Sequence, residues 1–149
     1  MQNINLEKIN KIYFAGIGGI GTSAIAKFML QNNKQVIGSE LVESEIVDGL
    51  RKLGIKIFIG QKAENITKDI DLFVYSPALP FDHIERKTAR KLKIKEISYS
   101  EILGLLSKNY NTIAICGTHG KSTTTAITGL IFEYGKKDPN VIVGSKLKQ

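Results

Sequence analysis

At 149 residues, with 42% hydrophobic and 23% charged side chains, the chain is long enough to bury a substantial core, and its composition is neither fibrous nor disordered. Its formal charge of +7 comes from dispersed lysines with one denser stretch, Arg86, Lys87, Arg90, Lys91, Lys93 and Lys95. No aromatic residues interleave with that stretch, so it reads as a solvated helix face and no nucleic-acid partner is expected, although a positive field still helps to collect phosphorylated substrates. The polar start from Met1 to Lys11 has no apolar run long enough for a signal peptide, and no later run approaches a membrane span, so a cytoplasmic protein is expected.

Strands then alternate with helices, the pattern of a parallel sheet covered on both faces and so of an α/β fold. The first strand is Lys11 to Ala15, and the helix after its glycines carries Ile20, Ala24, Ile25, Phe28 and Met29 until Asn32-Asn33 stops it. Gln35 to Ser39 is the second strand, followed by a helix with Ile46, Leu50 and Leu53 that ends at Gly54. Lys56 to Ile59 and Asp71 to Tyr75 are the third and fourth strands. The two prolines in Ser76-Pro77-Ala78-Leu79-Pro80 require a loop there. A basic helix follows from about Asp82, then a short strand near Glu96-Ile97-Ser98, then a helix capped by Ser100 and running to Leu106.

A domain boundary is expected at the turn of Lys108 to Asn111, dividing a Rossmann-like unit, 1–108, from a second unit, 109–149. The second unit reads as strand Thr112 to Cys116, helix Lys121 to Tyr134 stopped by Gly135, and strand Val141 to Val143. That is only the first βαβ unit of a P-loop ATPase domain, and its unpaired edge leaves room for self-association. Cys116, the single cysteine, excludes an internal disulfide and reads as a small core residue of its strand.

Two loops carry chemistry. Gly16-Ile17-Gly18-Gly19-Ile20-Gly21 is a G-x-G-x-x-G turn between a strand and a helix. Gly16 permits the tight turn, Gly18 lets the backbone approach a pyrophosphate, and Gly21 lets the helix pack close. Glu40, nineteen residues beyond Gly21 at the end of the second strand, suits ribose hydroxyls. A nicotinamide dinucleotide and a UDP-sugar both present a diphosphate and a ribose, so the loop itself does not choose between them.

The second loop, Gly117-Thr118-His119-Gly120-Lys121-Ser122, is a shortened P-loop in which Ile115 stands where the standard motif has its first glycine. Lys121 offers a point charge for the β and γ phosphates of ATP, and Ser122 a hydroxyl ligand for Mg2+. His119 is either a donor to phosphate or to a magnesium-bound water, or a positional loop residue. His83, beside Asp82, reads as a surface residue.

Together, Gly16 to Gly21, Gly38-Ser39-Glu40 and the run Cys116 to Thr124 resemble the Mur ligases of peptidoglycan synthesis, from Lys11 to the end of the chain. The resemblance implies a three-domain ATP-dependent ligase whose first domain holds the UDP part of the substrate and whose second binds ATP. It is nearest to members that join L-alanine to UDP-N-acetylmuramate through an acyl phosphate. A murein peptide ligase of cell-wall recycling and an NAD(H)-binding regulatory module are the alternatives. Carried over by position, Gly16, Ile17, Gly18, Gly19, Ile20 and Gly21 would face the UDP diphosphate, with Ser39, Glu40 and Ser76 in the same pocket. Gly117, Thr118, His119, Gly120, Lys121, Ser122 and Thr123 would serve ATP, with Lys121 catalytic and Ser122 on Mg2+. The chain departs from the family's Ser-Ser-Ala and Asn-Pro-Glu with Ser76-Pro77-Ala78 and His83-Ile84-Glu85. It also lacks what would hold alanine, so by itself it is expected to be inactive.

Overall fold

The structure, a computed structural model, describes residues 4–144; residues 1–3 and 145–149, the outer ends of the two expected domains, lie outside it. Five parallel strands form one sheet in the order β3-β2-β1-β4-β5, with β1 at Lys11–Ala15, β2 at Gln35–Glu40, β3 at Lys56–Ile59, β4 at Leu72–Tyr75 and β5 at Lys95–Ser98. The helices are α1, Ile20–Gln31; α2, Glu45–Lys52; α3, Ile84–Lys91; α4, Tyr99–Ser107; and α5, Lys121–Tyr134. β1 is central, and the chain leaves it first toward β2 and β3, then crosses back to β4 and β5. The strand order therefore reverses between β1 and β4, and the crevice at the carboxyl ends of those two strands is where open α/β sheets bind ligands.

Because successive side chains of a strand point to opposite faces, the apolar run of β1 feeds two cores. Ile12 and Phe14 join Leu72 and Val74 beneath Ile25, Ala26 and Met29 of α1, Val47 and Leu50 of α2, and Ile102 and Leu106 of α4. Tyr13 and Ala15 join Ile37, Phe73, Ile66, Ile70 and Ala89 of α3 on the other face, where the Tyr13 and Phe73 rings stack with centroids 5.5 Å apart.

Several boundaries move relative to the sequence reading. α1 buries Thr22, Ser23, Ile25, Ala26 and Met29, while Ile20 is left exposed. α2 buries Val47 and Leu50, and Leu53 falls past the end of the helix into solvent. Ser98, not Ser100, caps α4: its hydroxyl accepts from the Glu101 amide at 3.2 Å, and the Glu101 carboxylate accepts from the Ser98 amide at 2.7 Å. Such a reciprocal box satisfies two of the amides a helix start leaves without partners. The Ser98 amide and hydroxyl, as donors, hold the Glu101 carboxyl below its ordinary range. Glu101 therefore stabilises the fold above the ordinary glutamate range, and this contribution is lost as pH falls through its lowered value. Ser98→Ala is expected to cost about 1 kcal/mol in chemical denaturation at neutral pH, and a smaller share at pH 3; an equal loss at both would show that the ionised Glu101 carboxylate adds nothing to the cap.

The basic helix also differs from its reading as a solvated face. Lys87, Lys91, Lys93 and Lys95 are exposed, but Arg86 is buried, with its guanidinium 3.6 Å from the Tyr75 ring centroid and donating to the Leu79 carbonyl at 3.1 Å. Arg90 pairs with Glu96 at 2.9 Å and donates to the Phe81 carbonyl at 2.6 Å. These two arginines tether the loop after β4, so a third of the charge cluster is spent on holding that loop.

Beyond Lys108, α5 forms where expected, but 112–116 and 141–143 pair with no strand, and Cys116 is exposed rather than in a core. A strand needs a neighbour to satisfy its backbone groups, and no described residues supply one to these segments.

Candidate nucleotide-binding site

The glycine loop hangs from the end of β1 into the switch-point crevice. Gly16, at φ 75°, makes a turn that only glycine adopts without strain, and a Cβ there would lie 3.0 Å from the Cβ of Ser76 in the loop after β4. The Gly16 and Ile17 amides both donate to the Ser39 carbonyl, at 2.9 and 3.0 Å, and the Ile17 side chain is sealed in the core. The Gly18 amide donates to the Glu40 carboxylate at 2.8 Å, which also accepts from the Leu41 amide at 2.9 Å. The front half of the loop is thus engaged with the end of β2.

The donors left for an anion lie further on. Gly19 caps α1 with no side-chain hydrogen bond, and the first-turn amides from Ile20 and Gly21 have no intrahelical acceptor. A diphosphate at that helix start meets aligned N–H groups and the positive end of the helix dipole. Gly21 is needed for a different packing from that anticipated: a Cβ there would lie 2.6 Å from the Tyr99 hydroxyl, so it brings α1 close to α4 rather than to the sheet.

The polar residues gathered around the crevice divide into two kinds. Glu40 and Ser76 are half-buried at the rim, with the Ser76 hydroxyl accepting from the Ala78 amide at 3.4 Å. Ser39 is fully buried, and its hydroxyl donates to Glu85 at 2.7 Å, so it bears on the site through its carbonyl and not by side-chain contact.

Glu85 escaped the sequence reading. It is fully buried in the first turn of α3 and accepts from the Tyr13 hydroxyl at 2.7 Å, from the Ser39 hydroxyl and from the Asn65 amide at 2.9 Å. Burial, with the Glu85 charge beside it, pushes the Tyr13 hydroxyl far above its ordinary range, so Tyr13 remains a donor. A tyrosine in an otherwise apolar central strand was the available signal, since a buried hydroxyl needs an acceptor. His83 is half-buried rather than a surface residue: its Nδ1 accepts from the Glu85 amide at 3.3 Å, which caps α3, and its Nε2 lies 3.0 Å from Gln61 Oε1. That pairing calls for the tautomer with the proton on Nε2.

The second loop leads into α5. Gly117 and Gly120 take positive φ values of 152° and 75°, and Gly120 caps the helix without a side-chain hydrogen bond. The Lys121 ammonium donates to the carbonyls of Gly117 at 2.6 Å and Thr118 at 3.2 Å, so the side chain folds back over its own loop. Thr118, His119, Ser122 and Thr123 are exposed. Among the described residues no cluster of three or more His, Cys, Asp or Glu side chains could hold a metal. The Ser122 hydroxyl is a single neutral oxygen donor. It fits a magnesium ion that takes its remaining ligands from phosphates and water, as that ion commonly does.

A doubly wound parallel sheet with a glycine loop at its switch point places the chain in the α/β class whose open sheets bind ligands at that crevice. The family model described as "Mur ligase family, catalytic domain" matches residues 11–111, and the chain belongs to that family. It is 44% identical over 148 residues to a UDP-N-acetylmuramate–L-alanine ligase of Lachnoclostridium phytofermentans, covering 99% of this chain and 32% of that protein. The crystal structure of the UDP-N-acetylmuramate-alanine ligase of Thermotoga maritima superposes with a TM-score of 0.80 at 37% identity, over 85% of this chain and 30% of that one. A murein peptide ligase from Psychrobacter arcticus shares the fold at 23% identity and a TM-score of 0.79, over 85% of this chain and 27% of that one. The chain spans about a third of the length of the curated relatives it matches.

Proposed function

We propose that the chain is the substrate-holding part, with the first phosphate-binding unit, of a ligase that joins L-alanine to UDP-N-acetylmuramate at the expense of ATP. Residues 1–108 bind the UDP moiety, and 109–149 begin the ATP-binding domain. The observation that carries this reading is the pairing of a glycine loop at the switch point of the sheet with a second, lysine-bearing loop at the start of α5. A simple dinucleotide-binding module has no use for the second. The greater identity to alanine-adding relatives, 44% against 23% for the murein peptide ligase, favours the first substrate over a recycled peptide. On α5, Ile127, Leu130, Ile131 and Tyr134 are exposed apolar residues, which suits a helix that takes its cover from the rest of an ATPase domain.

In this reading the diphosphate rests on the first turn of α1 and the ribose beside Glu40. The γ-phosphate of ATP is transferred to a muramate carboxylate oxygen, with ADP leaving. The alanine nitrogen then attacks the acyl carbon, the C–O bond to phosphate breaks, and the amine proton is lost as the amide forms. Lys121 and the N-terminal amides of α5 stabilise the charge on the phosphates, and Ser122 would hold Mg2+, which when bound neutralises further charge.

Thermal unfolding tests the substrate assignment. UDP-N-acetylmuramate at a hundred times its dissociation constant is expected to stabilise the chain by about 2.7 kcal/mol. A shift with NADH and none with the UDP-sugar would overturn the ligase reading in favour of a dinucleotide-binding module.

A further inference from the structure

The Glu85 carboxylate is the most deeply buried acidic group described, and nothing in the proposed chemistry touches it. Its surroundings explain why it is there. One oxygen accepts from Tyr13 on β1 and from Asn65 in the turn after β3; the other accepts from Ser39 on β2. Asn65 also donates to the Gly60 carbonyl at 2.9 Å, and the Gly60 amide donates to the Glu40 carbonyl at 2.8 Å. One side chain of α3 therefore ties together the middle of β1, the end of β2 and the turn after β3. Among the described residues no lysine or arginine is within ion-pair distance of it. A buried carboxylate so placed is stable only while its donors stay in position, and reciprocally it holds them.

The end of β2 is also where the glycine loop is attached. The Ser39 carbonyl accepts the Gly16 and Ile17 amides, and Glu40 accepts the Gly18 amide. We infer that Glu85 is a positioning residue for nucleotide binding: by fixing Ser39 it fixes the path of residues 16–18, and so the aim of the α1 amides at a diphosphate. Ser39 is the relay, its hydroxyl bound from below and its carbonyl bound by the loop. The ligand side of this inference rests on the UDP-binding reading above; the loop-fixing side does not.

The test uses the 149-residue chain with Ser39→Ala, Glu85→Gln and the double substitution, read by amide hydrogen exchange and by calorimetric titration with UDP. Ser39→Ala removes the relay's hydroxyl and leaves Glu85 its other two donors. Glu85→Gln keeps the acceptor for Tyr13 and Asn65 but presents N–H groups to Ser39, leaving that hydroxyl without its acceptor. In each single variant the Gly16 and Ile17 amides are expected to exchange about tenfold faster relative to those of Ile12 and Phe14, and UDP to bind about tenfold more weakly. The double variant should be little worse than either single one, since both act through one bond. Exchange that speeds up equally along the whole of β1, or additive effects in the double variant, would overturn the inference and leave Glu85 a general stabiliser. Failure of the unsubstituted chain to bind UDP would remove the UDP-binding reading, while the exchange comparison would still decide whether Glu85 fixes the loop. Altered exchange with unchanged UDP affinity would overturn the link to binding.

Discussion

Replacing Gly38 with alanine is expected to destabilise the chain by about 3 kcal/mol, a fall in melting temperature of about 10 °C. Gly38 lies inside β2, paired with Phe14 of β1 on one side and Ile57 of β3 on the other. A Cβ there would come within 2.5 Å of the Phe14 carbonyl oxygen and 2.8 Å of Ile17 Cδ1. The first contact is with the backbone of the central strand, which cannot rotate away as a side chain would. The second presses on the fully buried residue that anchors the glycine loop. Stability and UDP affinity should therefore fall together. Chemical denaturation monitored by circular dichroism measures the first, and a loss under 1 kcal/mol would show that the β1–β2 packing is looser than described.

Lys121→Ala in the intact ligase is expected to slow ligation by about a hundredfold to a thousandfold, the usual cost of removing one fixed group that stabilises developing charge. Its ammonium is held by the Gly117 and Thr118 carbonyls, over the loop in which the phosphates of ATP would lie. Lys121→Arg should not restore activity, because a planar fork cannot take the place of a compact point charge in so short a loop. Steady-state rates, with UDP-N-acetylmuramate binding measured separately, distinguish this from general damage. Binding should be unchanged, and a variant retaining a tenth of the rate would remove Lys121 from the transfer step.

Much of the sheet was legible because its signals are local. The third strand, Lys56 to Ile59, and the fifth helix, Lys121 to Tyr134, stand at the residues expected, and Gly54 and Gly135 follow the helices they were read to stop. Ser100 was a reasonable cap by type, but the box between Ser98 and Glu101 starts the helix two residues earlier, directly at the end of β5. The expected strand at Thr112 to Cys116 had the right composition but no partner among the described residues, which composition does not reveal.

The candidate site divides in the same way. Sequence by itself determined where the two loops stand and that each leads into a helix, because a turn at positive φ, an apolar run and a helix stop are written in neighbouring residues. Only the tertiary structure decided which donors remain open. The amides of Gly16, Ile17 and Gly18 look free in the motif and are taken in the fold, by Ser39 and Glu40. Ser39 looks like a pocket residue and is sealed by Glu85, 46 positions away, which Tyr13 reaches across 72. Hydrogen-bond partners in a parallel sheet come from crossovers, so whether a polar group is available to a ligand depends on residues far along the chain that no local pattern names.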